Sequence, residues 1–120
     1  MKIWNLRIRK EDKGIFDRIK SGEKTIETRP LNAPDSKKDY SQIASGDKLI
    51  FSCDGEKLYK NVEAVRIYKD FEQYLDTEDL ENILGKGMTK EVARDIHYGF
   101  PGCKERLEKY GIIAMDMEQK

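Results

Sequence analysis

The residue types best suited to chemistry lie in one short stretch, residues 21–29, which reads SGEKTIETR. If the second half of this stretch forms a β-strand, Glu27 and Arg29 lie on the same face and can form a hydrogen bond. Lys24, at the turn before the strand, can reach over the same place. Such a cluster could bind the polar edge of a nucleobase with its carboxylate, and a phosphate or carbonyl group with its cations. The alternative is an ordinary ion pair at a strand edge, which contributes little to stability in the open.

Two elements of regular structure are expected to position this stretch. Residues 11–21 carry apolar side chains at helical spacing, which predicts a short amphipathic helix. Gly22 follows where a helix often ends in a left-handed residue, a conformation that glycine adopts without a side-chain penalty. Residues 25–31 alternate with a period of two, which predicts a strand. Residues 2–8 predict another strand. Its inward side chains are expected to be Trp4, Leu6 and Ile8.

The middle of the chain predicts a β-hairpin. Asp54-Gly55 is a strong turn signal between an apolar strand at residues 48–53 and a longer strand at residues 58–68. The loop before the hairpin, residues 30–43, is unusually long, and such loops often cover a site.

After residue 70 the apolar spacing becomes helical. Thr77 is expected to N-cap a helix that ends at Gly85 and Gly87, and Thr89 is expected to cap a further helix that ends at Ile96. A loop at residues 97–102, a helix at residues 103–110 and a strand at residues 112–118 complete the chain. The order of elements predicts an α+β fold around a small, curved sheet or barrel.

Length and composition restrict the class of protein. The 120 residues suffice for one domain, residues 1–120, with a modest core. No apolar run approaches the roughly 20 residues of a membrane helix, and the N-terminus lacks the apolar core of a signal peptide. We therefore expect a cytoplasmic protein without a membrane partner. Two cysteines and one histidine form no cluster with zinc spacing, so no metal and no cofactor are expected.

The charges are balanced over the chain but unevenly distributed along it. There are 23 basic and 23 acidic residues, so no overall field attracts nucleic acid. Residues 1–31, however, hold nine Lys/Arg against five Asp/Glu. This basic third could face a phosphate backbone or a nucleotide, or it could simply be dispersed surface charge. The acidic segment 71–95 could contact a partner protein, although packing of its apolar stripe on the sheet explains it more simply.

The stretch at residues 21–29 also resembles a known family signature. The order of Gly22, Lys24, Glu27 and Arg29 resembles the Gly-x-Lys-x-x-Glu-x-Arg pattern of ASCH domains, which are relatives of the PUA domain. Further matches follow in the same order through nearly the whole chain. They are residues 43–51 (IASGDKLIF), residues 62–71 (VEAVRIYKDF) and residues 100–114, which resemble the family's Gly-Asp turn, its next strand and its closing helix and strand.

The resemblance implies both a fold and a function. The fold would be a small PUA-like β-barrel of five to six strands with flanking helices, and a ligand cleft would lie between barrel and helices. ASCH domains have been proposed to bind RNA, so the implied function is binding of a nucleotide or RNA. The loop 32–42 and the segment 85–100 are expected to form walls of this cleft. The expected ligand-binding residues are Lys24, Thr25, Glu27, Arg29 and Tyr98.

An alternative function follows from one bacterial branch of the family, which looks like a small amidohydrolase acting on N4-acetylcytidine. It is thought to use a lysine, a threonine and a glutamate. Lys24 matches the lysine, but Glu27 stands at the threonine position and Lys86 near the glutamate position, where Glu81 or Glu91 could substitute. The loss of a hydroxyl nucleophile removes most of that mechanism. In this alternative, a hydrolase of a modified nucleoside or of RNA, the catalytic residues would be Lys24 and Glu27.

The closing loop also departs from the family pattern. Relatives often carry Tyr-Pro where this chain has Phe100-Pro101, so one hydroxyl is missing from the expected wall. Tyr98 could supply it or merely cap the core, and Phe100 is interpreted as a core residue. Zero net charge and few aromatics favour a mononucleotide or a modified nucleoside over a long RNA strand. No pattern indicates the oligomeric state.

Overall fold

A five-stranded mixed sheet curves into a half-barrel, with helices packed against it. The computed structural model describes residues 1–33 and 36–119. Within these ranges the strands are β1 (Ile3–Arg7), β2 (Ile26–Pro30), β3 (Lys48–Cys53), β4 (Glu56–Tyr68) and β5 (Ile112–Met117). The helices are α1 (Lys13–Ser21), α2 (Phe71–Thr77), α3 (Leu80–Leu84), α4 (Lys90–Gly99) and α5 (Cys103–Tyr110). Short 3-10 turns occur at Lys10–Asp12 and Tyr40–Gln42. The α+β prediction is confirmed.

The strand order places β1 and β2 at the two edges of the sheet. The order is β1-β3-β4-β5-β2, in which β1 and β3 are parallel and all other neighbours are antiparallel. β5 lies between β4 and β2, and both of its faces are buried. Its side chains alternate between two apolar clusters: Ile113 and Met115 belong to the cluster that includes α1, and Ile112 and Ala114 to the cluster under α2–α5. This strand therefore joins the two halves of the core.

Two turn predictions are confirmed by the backbone. Asp54 and Gly55 both have positive φ, 47° and 86°, at the tip of the β3–β4 hairpin. Gly22 ends α1 in the left-handed conformation with φ 87°, and its N–H donates to the Ile19 carbonyl. The chain therefore turns from α1 into β2 where the spacing of residues 11–31 predicts it.

Two predictions of helix boundaries are wrong. Asp79, not Thr77, caps α3, since the Asp79 carboxylate accepts from the backbone N–H of Asn82. Thr77 is the last residue of α2, and its hydroxyl donates to the Gln73 carbonyl. Both are capping residue types, and local spacing does not distinguish them.

The second error concerns α4, which continues to Gly99 instead of ending at Ile96. The expected loop at residues 97–102 is therefore partly helical. His97 extends the buried face of α4, one turn after Ala93, and its ring contacts the Ala93 carbonyl. A histidine followed by tyrosine and glycine gives no apolar periodicity, which is why spacing places the end of this helix too early.

A buried carboxylate anchors the start of β1. Asp47 is 6% exposed and accepts hydrogen bonds from the backbone N–H groups of Lys2 and Ala44. It also accepts from the indole N–H of Trp4, which is half-buried at the edge of the core. The Lys2 hydrogen bond is the strongest influence that holds the pKa of Asp47 below its ordinary value, so this carboxylate is ionised at neutral pH. None of the described helices is long and apolar enough to cross a membrane.

Candidate ligand-binding site

A cavity of about 250 Å³ lies beside the edge strands β1 and β2, under the helices. The end of β1 supplies Arg7 to it, and β2 supplies Glu27 and Arg29. The guanidinium of Arg29 lies 3.4 Å from the Arg7 carbonyl oxygen, so it spans the gap between the two edges of the half-barrel. Helices α1, α4 and α5 close the cavity with side chains that include Arg18, His97 and Arg106.

Lys24 is buried in the wall of this cavity, with only 4% of its surface exposed. Its ammonium donates to the carbonyl oxygens of Ile26 at 2.9 Å and Ile83 at 2.7 Å. It also lies 3.5 Å from the nearer carboxylate oxygen of Glu27. Burial lowers the pKa of Lys24, and Glu27 opposes this shift. Two of the three donors of the ammonium bond to carbonyl oxygens and its charge faces Glu27, so Lys24 ties β2 to α3 and positions Glu27.

Glu27 is 5% exposed and lies between two cations. One carboxylate oxygen accepts from the backbone N–H of Thr28 at 2.9 Å, and the other accepts from Arg29 at 3.3 Å. Burial alone would raise the pKa of Glu27, but the charges of Lys24 and Arg29 outweigh it and hold the pKa below its ordinary value. The carboxylate is therefore ionised at neutral pH. Because the contact with Arg29 is long, Glu27 keeps capacity to accept a further hydrogen bond.

The cavity wall is strongly cationic. Among the described residues, its lining includes six Lys or Arg residues and two Asp or Glu residues, an excess of four positive charges. The cationic residues are Arg7, Arg9, Arg18, Lys24, Arg29 and Arg106, and the carboxylates are Asp12 and Glu27. Asp12 pairs with Arg9 at 2.7 Å. The chain as a whole is neutral, so this excess is concentrated at the cavity.

A neutral histidine lies on the helical side of the cavity. The Nδ1 atom of His97 lies 2.7 Å from the Ala93 carbonyl oxygen, which can only accept, so Nδ1 carries the proton. The Nε2 atom then accepts from the Tyr74 hydroxyl at 3.1 Å. Burial lowers the pKa of His97 and raises that of Tyr74. Both ring nitrogens have partners, so His97 has no proton or lone pair left to exchange with a ligand.

The structure brings together three of the five expected ligand-binding residues. Lys24, Glu27 and Arg29 line the cavity, as the spacing of residues 21–29 predicts. Thr25 does not line it; its backbone is bonded to Asn82 and Met117 instead. Tyr98 faces the neighbouring surface, where its ring packs on Phe71 with ring centres 5.2 Å apart.

The two expected walls each contribute to the cavity. From the loop 32–42, Tyr40 lines the cavity. Residues 34 and 35 of this loop lie outside the described residues. From the segment 85–100, His97 and Phe100 line the cavity. Phe100 is half-buried against Arg9 instead of enclosed in the core, so its interpretation as a core residue is only partly right. Glu81, Lys86 and Glu91 are not among the described lining residues.

Sequence reasoning missed most of the arginines. Arg7 alternates outward on the first strand, while Arg18 and Arg106 occupy polar positions of helices α1 and α5. In each place an arginine is typical of a solvated surface. The available signal was the excess of basic residues in positions 1–31, which supplies five of the six cations of the wall. Within the described chain, no group of three or more His, Cys, Asp or Glu side chains could hold a metal ion.

These features define an α+β half-barrel with a small cationic cavity between its edge strands, and two solved structures are similar to it over nearly their whole length. The hypothetical protein PH0355 is 32% identical, with a TM-score of 0.75, and the match covers 97% of each chain. Protein PF0455 from Pyrococcus furiosus is 30% identical, with a TM-score of 0.65, over 97% of this chain and 96% of the other. No protein-family model and no curated protein matches the chain. The chain therefore belongs to the same family as PH0355 and PF0455.

Proposed function

We propose that this protein is a nucleotide-binding domain of the ASCH type whose ligand occupies the cavity around Glu27 and Arg29. The observation that carries the proposal is one ionised, buried carboxylate set in a cationic wall. A carboxylate accepts from the amino group on the edge of cytosine, adenine or guanine, and the cations balance the ligand's phosphate. The resemblance of residues 21–29 to the ASCH signature supports the same assignment.

The size of the cavity favours a small ligand. Pockets for small molecules usually measure about 300–1,000 Å³, and this one is slightly smaller at about 250 Å³. A mononucleotide or one nucleotide at the end of an RNA suits this volume better than an extended strand. Tyr40 and Phe100 add aromatic surface on which a base could stack.

The geometry favours binding over hydrolysis. The ammonium of Lys24 donates to two carbonyl groups of the chain and faces Glu27, so its main role is to hold the chain and the carboxylate in place. A general base works best with a pKa near neutral, whereas the neighbouring cations hold the pKa of Glu27 below its ordinary value. Glu27 is therefore better suited to accept a hydrogen bond than to remove a proton.

The proposal also includes the cellular compartment in which the protein works. Cys53 and Cys103 are free thiols. Unpaired cysteines suit a reducing compartment, and we propose the cytoplasm.

The proposal predicts that Glu27→Gln weakens binding of cytidine, adenosine or guanosine 5′-monophosphate by at least about tenfold, because it removes the charged acceptor. Isothermal titration calorimetry of the four common monophosphates measures this. Glu91→Gln is the matched control, since Glu91 is exposed on α4 and outside the cavity lining. Its affinities should equal those of the wild type.

The same samples, analysed by chromatography after long incubation, test the hydrolase alternative. The panel includes N4-acetylcytidine and short single-stranded RNAs. We expect unchanged ligands. A product that forms with the wild type and is lost in Glu27→Gln would contradict a pure binding function.

A further inference from the structure

We infer that the cavity has a subsite for a phosphate group, so that its ligand is a nucleoside monophosphate and not a nucleoside. The inference rests on the proposed function and adds the class of ligand to it. It is carried by two buried guanidinium nitrogens that have no hydrogen-bond partner in the described chain, Nε of Arg18 and Nε of Arg106.

Both nitrogens lie on arginines of the cavity wall. A buried N–H without an acceptor is costly, and more than nine in ten buried polar groups in proteins have a partner. Arg106 is held in place because its Nη2 donates to the Pro30 carbonyl oxygen at 2.9 Å, which leaves its Nε unmatched. A fixed guanidinium with an unmatched donor needs an acceptor from outside the chain.

The charges of the wall indicate that this acceptor is an anion. Both lining carboxylates are already paired, Asp12 with Arg9 and Glu27 with Lys24 and Arg29. The excess of four positive charges therefore has no counter-charge among the lining residues that the structure describes. A phosphomonoester carries about −1.5 to −2 charges and three acceptor oxygens, and guanidinium groups bind it in a bidentate manner.

Two of the arginines, Arg106 and Arg29, also lie close together. Arg106 donates to the carbonyl oxygen of Pro30, the residue that follows Arg29 in β2. Arg29 in turn contacts Glu27 at 3.3 Å. Arg106 therefore lies beside the strand, β2, that carries the carboxylate proposed to bind the base.

The test compares each nucleoside with its 5′-monophosphate by calorimetry on the wild-type protein. We expect the monophosphate of at least one base to bind at least about tenfold more tightly than the nucleoside, with the difference shrinking as salt is added. In Arg106→Gln and Arg18→Gln, this preference for the monophosphate should fall toward unity while the nucleoside affinity stays within about twofold. Arg94→Gln, on α4 and outside the cavity lining, is the control and should keep the preference.

Each possible result separates the inference from the proposed function. Equal affinity for nucleoside and monophosphate would overturn the inference of a phosphate subsite. It would leave the proposed recognition of the base intact. Binding of a short 5′-phosphorylated RNA with at least about tenfold preference over the monophosphate would overturn the mononucleotide as ligand. No binding of nucleosides, monophosphates or short RNAs would overturn the proposed function itself. The comparison on the wild type needs no variant, so a misfolded arginine variant does not obscure it.

Discussion

Replacing Gly111 with alanine is expected to lower the free energy of unfolding by about 3–5 kcal/mol. Gly111 separates α5 from β5 with φ 90° and ψ −158°, a region of backbone conformation that only glycine adopts readily. A Cβ atom at this position would lie 2.1 Å from the Tyr68 carbonyl oxygen and 2.8 Å from the Lys69 Cα atom. Both obstacles are backbone, so the end of β4 would have to move. Urea denaturation followed by circular dichroism measures the loss.

Gly22→Ala is the matched control for this prediction. Gly22 has nearly the same φ, 87°, but the nearest atom to its added Cβ would be Oε1 of Gln119 at 3.5 Å, an ordinary contact. Only the left-handed conformation is penalised there, at about 1–2 kcal/mol. Gly22→Val should cost more than Gly22→Ala because a β-branched side chain fits this conformation less well. Equal losses for Gly111→Ala and Gly22→Ala would show that the close approach to Tyr68 is unimportant.

Lys24→Met is expected to lower the free energy of unfolding by about 3–5 kcal/mol, because it breaks a buried ion pair on one side. The carbonyl groups of Ile26 and Ile83 lose this donor, and the buried carboxylate of Glu27 loses one of its two cations. It keeps the backbone N–H of Thr28 and the guanidinium of Arg29 at 3.3 Å. The measurement is again urea denaturation at neutral pH. A loss below about 1 kcal/mol would mean that the folded protein stabilises the ammonium of Lys24 no better than water does in the unfolded chain.

A double variant separates the ion pair from the rest of this effect. In Lys24→Met with Glu27→Gln, a neutral amide replaces the carboxylate and no longer needs the cation. The combined loss should be smaller than the sum of the two single losses by about 1–3 kcal/mol. Strictly additive losses would contradict a coupling between Lys24 and Glu27.

The centre of the site was predictable because it is local in sequence. Glu27 and Arg29 share a strand face, and Lys24 precedes that strand by two residues, so strand geometry alone brings them together. The hairpin at Asp54-Gly55 and the end of α1 at Gly22 were predictable for the same reason. In each case a few neighbouring residues contain the whole signal.

The rest of the site depends on packing between distant segments. Arg7, Arg18 and Arg106 meet at one cavity only after β1 pairs in parallel with β3 and α5 packs beside β2. Parallel strands are not joined by a tight turn, so the sequence carries no turn signal for their pairing. Single arginines on a strand or helix are typical of solvated positions. Thr25 lies outside the described cavity lining for a related reason. Its place in the strand alternation cannot show that its backbone is bonded to α3 and β5.

The central claim is that a nucleotide binds in the cavity between the edge strands, and mapping the backbone amides by NMR tests it most directly. The measurement is a titration of ¹⁵N-labelled wild-type protein with cytidine, adenosine and guanosine 5′-monophosphates in turn. For at least one of them, the largest shifts should fall on Thr28, Arg29, His97 and Phe100, while the exposed Tyr59 on β4 stays unchanged. Shifts centred on β4 around Tyr59, or no shifts with any monophosphate, would contradict the claim.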